Sequence, residues 1–133
     1  MNTNVMFSST SNDKSTPKEF YKELNKEFKF DFDPCPLNAK FDGLTIQWGR
    51  RNFVNPPYGR QIKLWIRKGW EQARYYDRLV VFLLASRTDT YWWHNYIMDA
   101  DEIRFIKGRL KFSNHKNSAP FPSCIAIFRG KKK

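Results

Sequence analysis

Four consecutive residues, Asn55-Pro56-Pro57-Tyr58, carry the groups needed to handle a flat ligand. Asn55 brings a carbonyl acceptor and an amide donor. The backbone carbonyl of Pro56 is a second acceptor, stiffened by a ring on either side. Tyr58 adds a face on which a planar group can stack. Two acceptors beside a platform suit a planar group that carries –NH2. The exocyclic amine of a nucleobase is such a group, and it is a poor nucleophile because its lone pair is conjugated to the ring. Accepting both of its hydrogens biases the nitrogen toward a tetrahedral state and frees that pair. A methyl donor held in line could then be attacked, with catalysis resting on positioning and electrostatics rather than on a strong base. In a duplex the same amine is paired, so the base has to be flipped out and stacked first.

Such a grip needs a rigid mount. The two prolines cannot extend a central strand, since each lacks an N–H, and they hold the preceding residue extended. Asn52-Phe53-Val54 before them is a short run ending in two apolar residues, and 61–76 after them is amphipathic. The stretch therefore reads as the tip of a buried strand that turns into a helix, with Asn55 held out at the tip. The helix carries a stripe of Ile62, Trp65, Ile66, Gly69, Trp70 and Ala73. LVVFLLA, 79–85, reads as a strand buried on both faces, as in a parallel sheet.

Upstream, Ser15-Thr16-Pro17 predicts a helix start, with a hydroxyl cap, proline in the first turn and Glu19 as capping-box partner. Phe20, Leu24 and Phe28 give that helix a buried face. Residues 28–33 alternate with period two, which predicts a strand with its aromatics on one face. It is stopped by Asp33-Pro34-Cys35-Pro36. Downstream, Ser86-Arg87-Thr88-Asp89-Thr90 forms a polar exit loop, 91–100 a further helix, 102–106 a strand and 123–128 the last strand. This order predicts an α/β fold whose mostly parallel sheet has helices on both faces and an antiparallel pair at one edge. In such sheets ligands bind beyond the carboxyl ends of the strands. Asp33, Asn55 and the Arg87 loop all fall at such ends.

A chain of 133 residues is expected to hold one domain, 16–129, between a polar arm, 1–15, and a basic tail, 130–133. It carries 24 Lys and Arg against 13 Asp and Glu, a net charge of +11, interleaved with 5 Trp, 6 Tyr and 12 Phe. Cations among aromatics point to a polyanion partner, and to nucleic acid before a membrane surface. No apolar run approaches membrane-spanning length. Cys35 and Cys124 are far apart and no Cys/His spacing matches a metal site, so no metal is expected. Two thiols without a signal peptide suggest a reducing cytoplasm.

Several segments together resemble the phage-type DNA N6-adenine methyltransferases. They are Asn55-Pro56-Pro57-Tyr58, Thr16-Pro17 before an aromatic-rich helix, Phe32-Asp33-Pro34-Cys35, Asp42-Gly43-Leu44 with Trp48, Arg87-Thr88-Asp89-Thr90, the stretch from Ile103 to Arg109, and Ala119-Pro120-Phe121-Pro122-Ser123. The resemblance runs from about Thr16 to Phe128. It implies a reduced Rossmann-like class I methyltransferase fold that uses S-adenosylmethionine. Asn55, Pro56, Pro57 and Tyr58 would be catalytic. Thr16, Pro17, Asp33, Pro34, Cys35, Asp42 and Asn55 would hold the donor, with Thr16-Pro17 near its methionine end, Asp33 at its ribose or amino group, and Asp42 at its adenine. One feature departs from the fold's usual pattern: the glycines, at 43, 49, 59, 69, 108 and 130, form no G-x-G. The Asp33-Pro34-Cys35-Pro36 turn would take the place of that loop. Arg87, Thr88, Lys107, Arg109, Asn114 and Lys116 are the candidate DNA contacts.

Other readings compete. Asp33 and Thr88 can serve as turn or helix caps, Trp92 and Trp93 point apart with one buried, and Glu71, Arg74 and Arg78 look like a solvated helix face. At the level of function, an RNA base or a glutamine side chain could be the methyl acceptor. A basic DNA-binding module without a donor site is the non-enzymatic alternative. With little room for a separate recognition domain, the enzyme is expected to have short or relaxed target specificity, as a monomer or a homodimer.

Overall fold

A computed structural model describes residues 16–111 and 119–132. Helix α1, Lys18–Phe28, is followed by β1, Arg51–Val54, α2, Ile62–Tyr76, and β2, Leu79–Ala85. Then come a short α3, Tyr91–Asn95, a 3-10 turn, Ile97–Asp99, and strands β3, Glu102–Phe105, and β4, Ser123–Arg129. The four strands form one sheet in the order β1-β2-β4-β3. β1 and β2 are parallel, whereas β4 pairs antiparallel with both β2 and β3.

The expected antiparallel pair of the last two strands is present, but the sheet is mixed rather than mostly parallel. The reason lies in β4, which returns between β2 and β3 instead of lying outside them. β1, β2 and β3 consequently run the same way, and their carboxyl ends share one edge with the start of β4. LVVFLLA is buried on both faces as its composition demands, yet one of its neighbours is antiparallel. Burial on both faces needs cover above and below, not a particular strand direction.

That cover is helical on both sides. Leu24 and Phe28 of α1 pack with Phe53, Val81, Leu83, Ile125 and Ile127. On the other face Trp65, Ile66 and Ala73 of α2 and Trp92 and Trp93 of α3 pack with Val80, Phe82, Leu84, Ala126 and Phe128. Strict alternation along β2 thus serves two cores. α2 lies close against β2 at Gly69, where an added Cβ would come within 2.2 Å of the Phe82 ring. Trp92 and Trp93 are both buried, unlike the expected split. The helix expected over 91–100 stops after Asn95 and continues as the 3-10 turn.

Two further expectations are corrected. No strand spans 28–33. Lys29 takes a left-handed conformation, φ 53°, that ends α1 with its N–H on Asn25 O, and only Phe32 bridges β1, opposite Asn52. Phe28 and Phe30 belong to one core and Phe32 to the other, so the aromatics do not share a face. Nor is Arg74 solvated. It is 9% exposed and donates to Asp99 Oδ2 and Asp101 Oδ2, both at 3.1 Å, and to Gly130 O at 2.7 Å. One guanidinium therefore ties α2 to the turn before β3 and to the end of β4. Beyond β4, the Lys131 N–H donates to Asp77 Oδ1.

Candidate active site

β1 ends at Val54, and the prolines behind it stop the ladder, so Asn55 projects beyond the sheet's carboxyl edge. It is nonetheless 7% exposed, because the start of α1 closes over it. Asn55 Nδ2 donates to Thr16 Oγ1 at 3.0 Å. The Thr16 hydroxyl is therefore not the helix cap its sequence predicts. The N-cap position falls on Pro17, no side chain caps α1, and the Tyr21 N–H takes the Pro17 carbonyl. Behind the tetrapeptide Gly59 adopts φ 113°, a conformation that favours glycine, and its carbonyl accepts the Ile62 N–H as α2 begins.

Asp33 reaches the same edge by following β1. The Phe53 N–H donates to Phe32 O at 3.1 Å, which lays 33–35 alongside 53–55. A cleft of about 280 Å³ opens there, lined by Thr16, Tyr21, Asp33, Cys35, Phe53 and Asn55 among others. Asp33 Oδ1 accepts the Cys35 N–H at 2.9 Å. Burial nevertheless raises its carboxyl to about 6, against the pull of that hydrogen bond. Burial, and then the charge of Asp33, also raises the Tyr21 hydroxyl.

Asp42 stands apart from this cleft. Its carboxylate accepts the Leu44 N–H and closes its own turn, and it lines a separate recess of about 30 Å³ with Pro34, Gly43 and Trp65. The two turns still touch: a Cβ at Gly43 would come within 2.0 Å of Pro34 O.

Tyr58 packs its ring edge-on against Phe121, with centroids 5.0 Å apart at 89°. The Arg87 guanidinium lies over the same Phe121 ring at 5.7 Å. Burial raises the Tyr58 hydroxyl far above its usual range, although Arg87 works the other way, so it stays protonated. Thr88 O is in hydrogen-bond contact with His94 Nε2 at 2.7 Å. Lys107 and Arg109, both exposed, follow the end of β3 on the same edge as Arg87. Asn114 and Lys116 lie outside the described residues.

The edge therefore gathers Thr16, Asp33, Asn55 and Tyr58 at β1 and exposed cations at β2 and β3. The run before the prolines assigns Phe53 to the core, and the sequence patterns give Phe121 no role of its own. Tyr21 could have been found from the sequence, one turn of α1 beyond Pro17. Phe121 could not, because its neighbours Tyr58 and Arg87 are distant in the chain. Among the described residues no group of His, Cys, Asp and Glu has the makings of a metal site, and no helix is long and apolar enough to cross a membrane.

These features define a small α/β protein with a desolvated carboxylate and a buried asparagine at the carboxyl edge of a mixed sheet. The family described as DNA N-6-adenine-methyltransferase (Dam) matches residues 6–129. The chain belongs to that family, which makes it a DNA methyltransferase of the adenine N6 type in general. No curated protein and no solved structure matched the chain.

Proposed function

We propose that the protein moves a methyl group from S-adenosylmethionine to N6 of an adenine flipped out of DNA, at the Asn55 end of the cleft. The observation that carries this reading is Asn55 itself: buried, held by Thr16, and set beside Asp33 in a chain of this family. Thr16 accepts from Nδ2 and so fixes the orientation of the amide. Asn55 Oδ1 and Pro56 O then serve as acceptors for the two amine hydrogens. Tyr58, braced by Phe121, supplies the face for the base.

The cleft fits a cationic donor. Asp33 is desolvated there and pairs with no lysine or arginine among the described residues. Its carboxylate would hold the donor's positive end, between Thr16-Pro17 and the Pro34-Cys35 turn. Asp42, engaged with its own turn, would act on the donor's adenine only at second hand. Bound donor supplies a methyl carbon whose bond to sulfur breaks as the amine lone pair bonds to it. The proton left on N6 passes to water, so the chain needs no strong base. Arg87, Thr88, Lys107 and Arg109, with Asn114 and Lys116, would take the phosphates around the flipped base.

A labelled-donor assay on DNA of mixed sequence tests the reading. Label is expected on adenine N6, and its absence with donor binding intact overturns it. Asn55→Ala should abolish transfer while leaving the thermal midpoint close to the wild type. Transfer that survives in this variant removes the tetrapeptide from the chemistry. Matched RNA and glutamine-containing peptides in the same assay separate the competing acceptors.

A further inference from the structure

A hollow of about 1020 Å³ lies away from the Asn55 edge. It lies at the opposite end of the sheet, where β1 and β2 begin and β4 ends, and Arg50, Arg51, Arg78 and Arg129 line it with Tyr76. Its lining carries four arginines against three carboxylates, Glu27, Asp31 and Asp77, and Lys29, Lys131 and Lys132 flank that lining in the chain.

Those carboxylates are already engaged. Glu27 takes two 2.7 Å bonds from Arg104, Asp31 Oδ1 accepts the Arg51 N–H, and Asp77 Oδ1 accepts the Lys131 N–H. The guanidiniums are largely unmatched. Among the described residues Arg50, Arg51 and Arg78 form no ion pair, and Arg129 alone has one, with Glu102. Arg51 Nε donates to the neutral carbonyl of Phe28. Arg78 Nε is shielded from solvent and has no partner among the described residues. Planar donors gathered in a hollow with unspent N–H groups suit phosphate oxygens.

We infer that this hollow is a second docking site for the DNA backbone, separate from the edge that handles the base. The inference rests on DNA being the substrate and assigns a contact that substrate would make. β2 spans the sheet, and its seven residues at ~3.3 Å each put the two edges roughly 20 Å apart. Phosphates in the hollow therefore belong to a flank bent around the protein or to a second segment, not to the nucleotides beside the flipped base. The contact carries no sequence information.

The test uses the double variant Arg50→Gln/Arg78→Gln, with Arg50→Gln alone as a second arm, because Arg50 is exposed and its loss leaves packing intact. Lys22→Gln/Lys26→Gln, on the exposed face of α1, makes the same charge change elsewhere. Binding of labelled duplexes is followed against salt. The slope of log affinity on log salt should drop by about two in the double variant and by about one in the single, equally on all sequences. The α1 control should keep the wild-type slope, and kcat at saturating DNA should stay at the wild-type value. An unchanged slope in Arg50→Gln, or an equal drop in the α1 control, overturns the site. Transfer measured in the same samples keeps the two readings apart: arginine-dependent binding by a wild type that transfers no methyl group supports the docking site and removes the enzymatic reading.

Discussion

Asp33 decides the pH behaviour of the cleft. Burial holds its carboxyl near 6, above the ordinary 3.8. Between those values the folded chain keeps a proton that the unfolded chain releases. The stability owed to this group is thus complete below about pH 4 and is lost as the pH rises through 6. Asp33→Asn, which cannot ionise, should therefore be more stable than the wild type well above pH 6, by about 1–3 kcal/mol, and no more stable in acid. Melting curves across that range check it. A cationic donor held by Asp33, as proposed, would reverse the preference by binding the ionised form. Its affinity should fall roughly tenfold per unit below pH 6 in calorimetry, and the dependence should vanish in Asp33→Asn. Thr16 offers a second residue-scale test. Thr16→Val removes an acceptor from the buried Asn55 amide. Such a loss is worth about 1–3 kcal/mol, so kcat should fall roughly 10- to 100-fold, while donor affinity measured by calorimetry changes little.

At the scale of elements, the sheet is held between two helical covers whose closeness differs. α2 approaches β2 so nearly that Gly69 has no room for a methyl group. Gly69→Ala should gain helix propensity yet lose about 2 kcal/mol net, because neither the helix nor the Phe82 ring can move without opening the core. Urea denaturation measures this. The elements most legible in the sequence were those whose pattern is set by burial alone: α2, with its apolar stripe, and β2, with its unbroken apolar run. Less legible were the stretches where a distant partner decides. Residues 28–33 alternate as a strand does, but the left-handed Lys29 and the Asn25 side chain, which accepts the Phe30 N–H, turn the chain before a ladder can form. Thr16 has the sequence context of a cap, yet it spends its hydroxyl on Asn55, 39 residues away. Arg74 sits in a charged stretch, yet its partners lie 25, 27 and 56 residues on. At the candidate site a proline follows both Asn55, at the end of β1, and Asp33, just past the Phe32 bridge, and that local pattern singles the two out. Their companions Tyr21, Phe53 and Phe121 depend on which faces meet.

For the whole molecule, charge and topology divide the labour. The sheet direction gathers the reactive groups on one edge, while the excess of cations is spread over both. A net charge of +11 in 133 residues draws the protein to a polyanion at any orientation, so the edge must supply the discrimination that charge does not. From β1 to β3 the edge crosses three strand spacings, roughly 14 Å. If Asn55 and Tyr58 hold the base as proposed, Lys107 and Arg109 would meet different nucleotides.

The place of β4 bears on how the molecule comes into being. As the chain leaves the ribosome, β1 and β2 appear first and β3 follows, yet β3 has no neighbour until β4 arrives to fill the gap between it and β2. A nascent chain that has not yet produced Ser123 lacks the centre of its own sheet. It also lacks Phe121 in its place against Tyr58. Arg50, Arg51, Arg78 and Arg87 are made before β4, whereas Arg129, Lys131 and Lys132 come only with or after its end. A chain cut short before Ser123 is therefore expected to transfer no methyl group.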